Sequence, residues 1–107
     1  MARVVVTPSA DADTAEIIAD LEAKAGFVVA ARYNASFERL YDILADFPGA
    51  GPPRPTLGAH IRIGVVLPYI VIYSHTETDG VVRVLRIVHG SRRISGKLLR
   101  RGAGASE

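Results

Sequence analysis

Apolar positions along the chain change their period twice, and each change marks an element. Arg3 to Thr7 is a short β-branched run closed by Pro8, which predicts a first strand. The period then becomes helical. Ser9, Asp11 and Asp13 are candidate N-caps, and Asp13-Thr-Ala-Glu16 has the spacing of a capping box. Ile17, Ile18, Leu21 and Ala25 continue a helix that Gly26 breaks. From Phe27 to Phe47 a second helix is expected. Its residues Tyr33, Phe37, Leu40, Tyr41, Leu44 and Phe47 recur at i, i+3 and i+4, giving one wide apolar stripe. Each such side chain contributes roughly 1.5–3 kcal/mol on burial, so the stripe reads as core rather than as a ligand platform.

Pro48 to Pro55 is too rich in Pro and Gly for a helix or a central strand, and reads as a stiff crossing segment. Three strands follow, His60 to Val66, Tyr69 to His75 and Val81 to His89. Tyr69 to Tyr73 is apolar at every position, which predicts a central strand covered on both faces. Between the last two strands, Thr76-Glu-Thr-Asp-Gly80 has hairpin composition, with Gly80 free to adopt φ > 0. The connection Val66-Leu67-Pro68 is apolar for a turn: either it lies buried beneath the helices or it is a patch for a partner. The predicted order is β-α-α-β-β-β. This is an α+β domain, a small and mainly antiparallel sheet with a two-helix hairpin packed on one face. The domain is placed at residues 1–95. Residues 96–107 are read as a basic and then flexible tail, with a short helix near Gly96 to Arg101.

Composition fits one globular core: 107 residues, 49% hydrophobic and 22% charged. There is no cysteine, which removes disulfides and thiolate metal sites and is compatible with the cytoplasm. Met1 to Thr7 lacks the apolar core and cleavage site of a signal peptide. The longest apolar run, Ile61 to Tyr73, is interrupted by Arg62, Gly64 and Pro68 and is too short to span a bilayer. Net charge is only +2, but eleven of the thirteen cations are Arg, and seven of these fall between Arg62 and Arg101. Guanidinium groups suit bidentate contacts to carboxylate or phosphate. The last strand leaves its apolar run through Arg83, Arg86, His89, Arg92 and Arg93, and this cationic exit is the first place to seek a function.

His60, His75 and His89 are scattered and have no metal-ligand spacing. No phosphate-cradling or dinucleotide glycine pattern is present. Ser91 and Ser95 near His89 lack the third group that a nucleophile–base pair needs. Glu16 and Asp20 are explained by capping and solubility. Metal-independent phosphodiester cleavage remains open, since Arg and His can balance charge and move protons, and Arg86, His89 and Arg92 lie close in sequence. The alternative is that Arg86 and His89 pair with carboxylates from the helices.

The hairpin Tyr69-Ile-Val-Ile-Tyr73 followed by Val84-Leu-Arg-Ile-Val-His-Gly-Ser-Arg92 resembles the closing segment of ParE-type toxins in the RelE/ParE superfamily. Phe47-Pro-Gly and Pro53-Arg-Pro-Thr-Leu-Gly58 look like that family's loop before the second strand, and the resemblance runs from about Val4 to Arg93. It implies the toxin of a bacterial type II toxin–antitoxin (plasmid stabilisation) system. Such a toxin is cytoplasmic, needs no cofactor or metal, and forms a hetero-oligomer with an antitoxin whose C-terminal segment wraps the helices and sheet. Ile17, Leu21, Phe37, Tyr41 and Leu67 are the antitoxin contacts expected on that basis. ParE-like members are similar to inhibitors that bind DNA gyrase. By this resemblance Arg83, Arg86, His89, Arg92 and Arg93 face the target, with possible indirect nucleic-acid contact. RelE-like members are instead ribosome-dependent mRNA endonucleases, for which Arg62, Arg86, His89 and Arg92 would be the catalytic set. That mechanism uses an Arg after the first Tyr of the strand motif, where this chain has Ile70, and a late Tyr, where it has Leu98. Neither replacement can neutralise a phosphate or transfer a proton. A third reading is a non-toxic relative that only binds its antitoxin.

Overall fold

The computed structural model describes residues 1–91. Its elements are β1 (Arg3–Val6), α1 (Pro8–Ala25), α2 (Phe27–Asp46), β2 (Ile61–Val66), β3 (Tyr69–His75) and β4 (Val81–His89). The α+β order β-α-α-β-β-β is therefore the one expected. The tail at 96–107 and the helix expected near Gly96 to Arg101 lie outside the described residues.

The four strands form one open sheet in the order β1-β4-β3-β2. β1 runs parallel to β4, and the other two pairings are antiparallel. β3 is central and β2 is an edge. Between Ile72 and Tyr73 the register with β4 shifts, because Ile72 pairs with Arg86 and Tyr73 with Val84. Leu85 is thus the extra residue of a bulge, and it turns the far end of β4 toward α1.

Helix α1 starts earlier than the sequence pattern predicts. Thr7, not Ser9, Asp11 or Asp13, is the N-cap. Its hydroxyl oxygen accepts from the Ala10 N–H at 3.3 Å, and Pro8 occupies the first turn. Proline's fixed φ and missing N–H suit that position, so the residue that closes the strand also opens the helix. The Thr7 hydroxyl donates to the Val84 carbonyl at 2.8 Å, tying the helix start to the bulge. Gly26, at φ +92, ends α1 and begins α2, a conformation that side chains resist.

The core lies between the helical hairpin and one face of the sheet. Phe37 and Leu44 of α2 are buried against Val71, Tyr73, Val82, Val84 and Ile87, with Tyr33, Leu40 and Tyr41 packed around them. Phe47, expected in the same stripe, is 66% exposed. It is the C-cap, with φ −132 and ψ 74, so its side chain leaves the helical stripe. Ile72 and Val88 alternate with the helix-facing residues and point to the other face of the sheet, where both are buried. Burial on both faces is what the apolar run Tyr69 to Tyr73 predicts.

The crossing segment after α2 is pinned by two side chains from the sheet. The buried Tyr73 hydroxyl accepts from the Gly51 N–H at 2.9 Å and donates to the Pro48 carbonyl at 3.0 Å. Arg62 donates to the carbonyls of Gly51 at 2.7 Å and Gly49 at 3.2 Å. Only glycine fits at 51, because a Cβ would collide with the Ile63 carbonyl and lie 2.8 Å from the Tyr73 hydroxyl.

Candidate functional site

The last strand carries its cations to different places. Arg83 is exposed near the turn at 76–80 and pairs with Asp79 at 2.7 Å. That contact holds the Asp79 carboxyl below its usual range. Arg86 turns at the bulge into a bidentate pair with Asp13, at 2.7 and 3.0 Å, with both side chains about 15% exposed. The Asp13 carboxylate also accepts the Ile87 N–H at 2.9 Å, and its hydrogen bond raises the guanidinium pKa of Arg86. Of the two expectations for Arg86, pairing with a helix carboxylate is the one seen. His89 does not pair that way. It is exposed, and its Nδ1 accepts from the Ser91 N–H at 3.1 Å, with the Ser91 hydroxyl 2.7 Å away. A backbone N–H only donates, so Nδ1 bears the lone pair and the ring proton sits on Nε2. Arg92 and Arg93 lie outside the described residues.

These placements bear on the nuclease set. Arg62 is opposite Tyr73 and His89 is opposite Tyr69, four residues apart on β3. They are thus separated by roughly 13 Å along the strand. Arg62 and Arg86 are each committed to contacts that hold the fold together. Among the described residues no group of three or more His, Asp or Glu is gathered as for a metal.

Two grooves flank the helical hairpin, and they differ in sign. The first, about 440 Å³, lies between α1 and the end of β4, where β1 has already stopped. Asp13, Glu16 and Asp20 line it with Tyr69 and His89. Tyr69 stacks edge-on against both Tyr33 and His89, at 5.7 and 5.8 Å between ring centroids, and burial pushes its phenol pKa up. The second groove, about 480 Å³, lies between α2 and the β2–β3 hairpin. Arg32, Arg39, Leu40, Ile43, Val65 and Leu67 line it, and no carboxylate does among the described residues. Leu67 is 79% exposed, so the apolar turn is a surface patch and not a buried connection.

Of the expected antitoxin contacts, Leu67 is open to a partner and Ile17, Leu21 and Tyr41 are partly so. Phe37 is sealed in the core at 1% exposure, because the stripe that carries it is centred on the sheet. Sequence reasoning passed over Arg32, Arg39, Ile43 and Val65. The signal was present: positions 32, 36, 39 and 43 form a second stripe on α2 at i, i+4, i+7 and i+11, beside the apolar one.

A family model described as the ParE toxin of the type II toxin–antitoxin system parDE matches residues 4–94. Among solved structures, the chain is similar to one from a chromosomal ParDE TA system of P. aeruginosa. Identity is 19%, the TM-score is 0.70, and the match covers 83% of this chain and 96% of the other. At that identity the likeness shows a shared fold. No curated protein matches significantly. No helix among the described residues is long and apolar enough to cross a membrane.

Proposed function

This chain belongs to the ParE toxin family of type II toxin–antitoxin systems, and from that premise we propose that it inhibits DNA gyrase by binding and is neutralised by a cognate antitoxin in the cytoplasm. The observation that carries the binding mechanism is the fate of the cations a nuclease would use. Arg62 and Arg86 are spent on the loop and on Asp13, and His89 stands at the far end of the sheet from Arg62. A binding inhibitor needs no convergent acid and base, only a complementary surface. The exposed end of β4 supplies one at His89 and Ser91, and the sequence continues it with Arg92 and Arg93. Arg86 serves this surface as a positioning residue, since its guanidinium fixes the bulge from which His89 projects.

The test is a supercoiling reaction with gyrase, plasmid DNA and the purified, antitoxin-free protein. Loss of supercoiling with accumulation of linear, protein-linked DNA is the expected result. Unimpeded supercoiling at excess protein, together with ribosome-dependent cleavage of mRNA, would replace this reading with the nuclease one.

A further inference from the structure

The groove between α2 and β2 has three properties of a peptide-docking site, each visible in a different part of the molecule. Its walls are apolar and uncovered: Ile43 is 44% and Leu67 79% exposed, although both are large hydrophobic residues. Its rim is cationic. Arg32 and Arg39 form no ion pair with any described carboxylate, whereas Lys24, Arg83 and Arg86 each form one. Its floor is a strand edge. β2 is the last strand of the sheet, and the crossing segment covers only its first half. There the Arg54 N–H donates to the Ile61 carbonyl at 2.8 Å, and the Ile63 N–H donates to the Pro52 carbonyl at 3.2 Å. Alternate residues of a strand send their backbone groups the same way. Val65 therefore presents its N–H and C=O outward, beyond that cover, where no described strand or loop pairs with them.

We propose that this groove takes an extended acidic segment of the antitoxin, which adds to β2 at Val65 as a fifth strand and sets carboxylates against Arg32 and Arg39. The proposal rests on the antitoxin-neutralised reading above and specifies where and how the antitoxin docks. Strand addition suits a groove whose floor is an unpaired backbone edge, with main-chain bonds giving affinity and side-chain pockets giving selectivity. The two Arg are seven residues apart on α2, about 10 Å along its axis. That distance spans about three residues of an extended chain. The acidic groove beside α1, lined by Asp13, Glu16 and Asp20, would repel the same segment. Charge therefore selects one side of the helical hairpin.

The test uses the full-length protein and the antitoxin encoded by the adjacent reading frame. Affinity is measured for the natural chain, for Arg32→Glu/Arg39→Glu, for Val65→Pro and for Arg3→Glu as a charge control, each checked for a native melting transition. Proline at 65 removes only an outward N–H, which an edge strand tolerates. The charge pair and the proline are each expected to weaken binding about tenfold or more, with Arg3→Glu near neutral. The Val65 amide is expected to exchange far more slowly in the complex than in the free protein. Natural affinity in both folded variants overturns the docking site, and an unprotected Val65 amide overturns strand addition even if the charge pair matters. If the proline variant does not fold, amide exchange on the natural chain decides. Failure of the natural protein to bind any such antitoxin overturns the antitoxin reading itself, which the other outcomes leave standing.

Discussion

Asp13 gathers three hydrogen bonds on one carboxylate, two from Arg86 and one from the Ile87 N–H, across separations of 73 and 74 residues. Both charged side chains are mostly withdrawn from water, so breaking the pair leaves a half-buried charge. Asp13→Ala is expected to cost about 3 kcal/mol, toward the low end for buried pairs. Arg86→Met should cost less, because Asp13 keeps the Ile87 N–H. The double variant should fall short of the sum of the two, which is the signature of coupling. Urea denaturation of the four proteins measures this, and simple additivity would mean the pair contributes nothing jointly. The sequence shows Asp13 at capping-box spacing and so suggests a different task for it. Thr7 and Pro8 perform the capping less than two helical turns earlier in the chain, and only the bulge at Leu85 brings Arg86 within reach of α1. A contact between residues so far apart has no local signature. That Arg86 would find some helix carboxylate was legible; which one, and with what burial, depended on the register.

At the scale of elements, strands β3 and β4 were the most legible, because β-branched runs bounded by turn residues leave little freedom at their ends. The helices were legible as one apolar stripe, but the stripe says nothing about how closely α1 and α2 approach. Tyr41 reports that approach. Its hydroxyl is buried beside Thr14 of α1, whose proximity tempers the pKa shift, yet among the described residues it makes no well-formed hydrogen bond. Burial, with Glu38 adding, raises its pKa from 10.0 to about 12. The folded protein thus holds this proton more tightly than the unfolded chain does. Its contribution to stability is complete below pH 10 and is lost as the pH rises from 10 toward 12. Tyr41→Phe removes both the orphaned hydroxyl and the titration. The variant should match or slightly exceed the natural protein at pH 8, and should lose less stability between pH 10 and 12. Thermal melts across that window measure the difference. Parallel losses in both proteins would place the alkaline sensitivity elsewhere.

At the scale of the whole molecule, one side of Tyr69 faces the proposed antitoxin groove through Tyr33, and the other faces the exposed end of β4 through His89. Two surfaces of different chemistry therefore meet at one buried ring without sharing their outer residues. A toxin that must bind two partners in turn has two physical options: overlapping sites, which compete directly, or adjacent sites, which exclude each other by bulk. The geometry favours adjacency. His89→Ala should then weaken gyrase inhibition several-fold and leave antitoxin affinity within about twofold, while Arg32→Glu/Arg39→Glu should do the reverse. Each variant is to be measured in both assays, because loss in one assay alone is what distinguishes a contact from general damage to the fold. Parallel losses would mean that both partners use one overlapping surface. The aromatic series Tyr33–Tyr69–His89 would then be the centre of that single site. Clean separation would mean that this small sheet offers its two ends to two different partners. Neutralisation would then work by blocking approach to the end of β4, with His89 itself left uncovered.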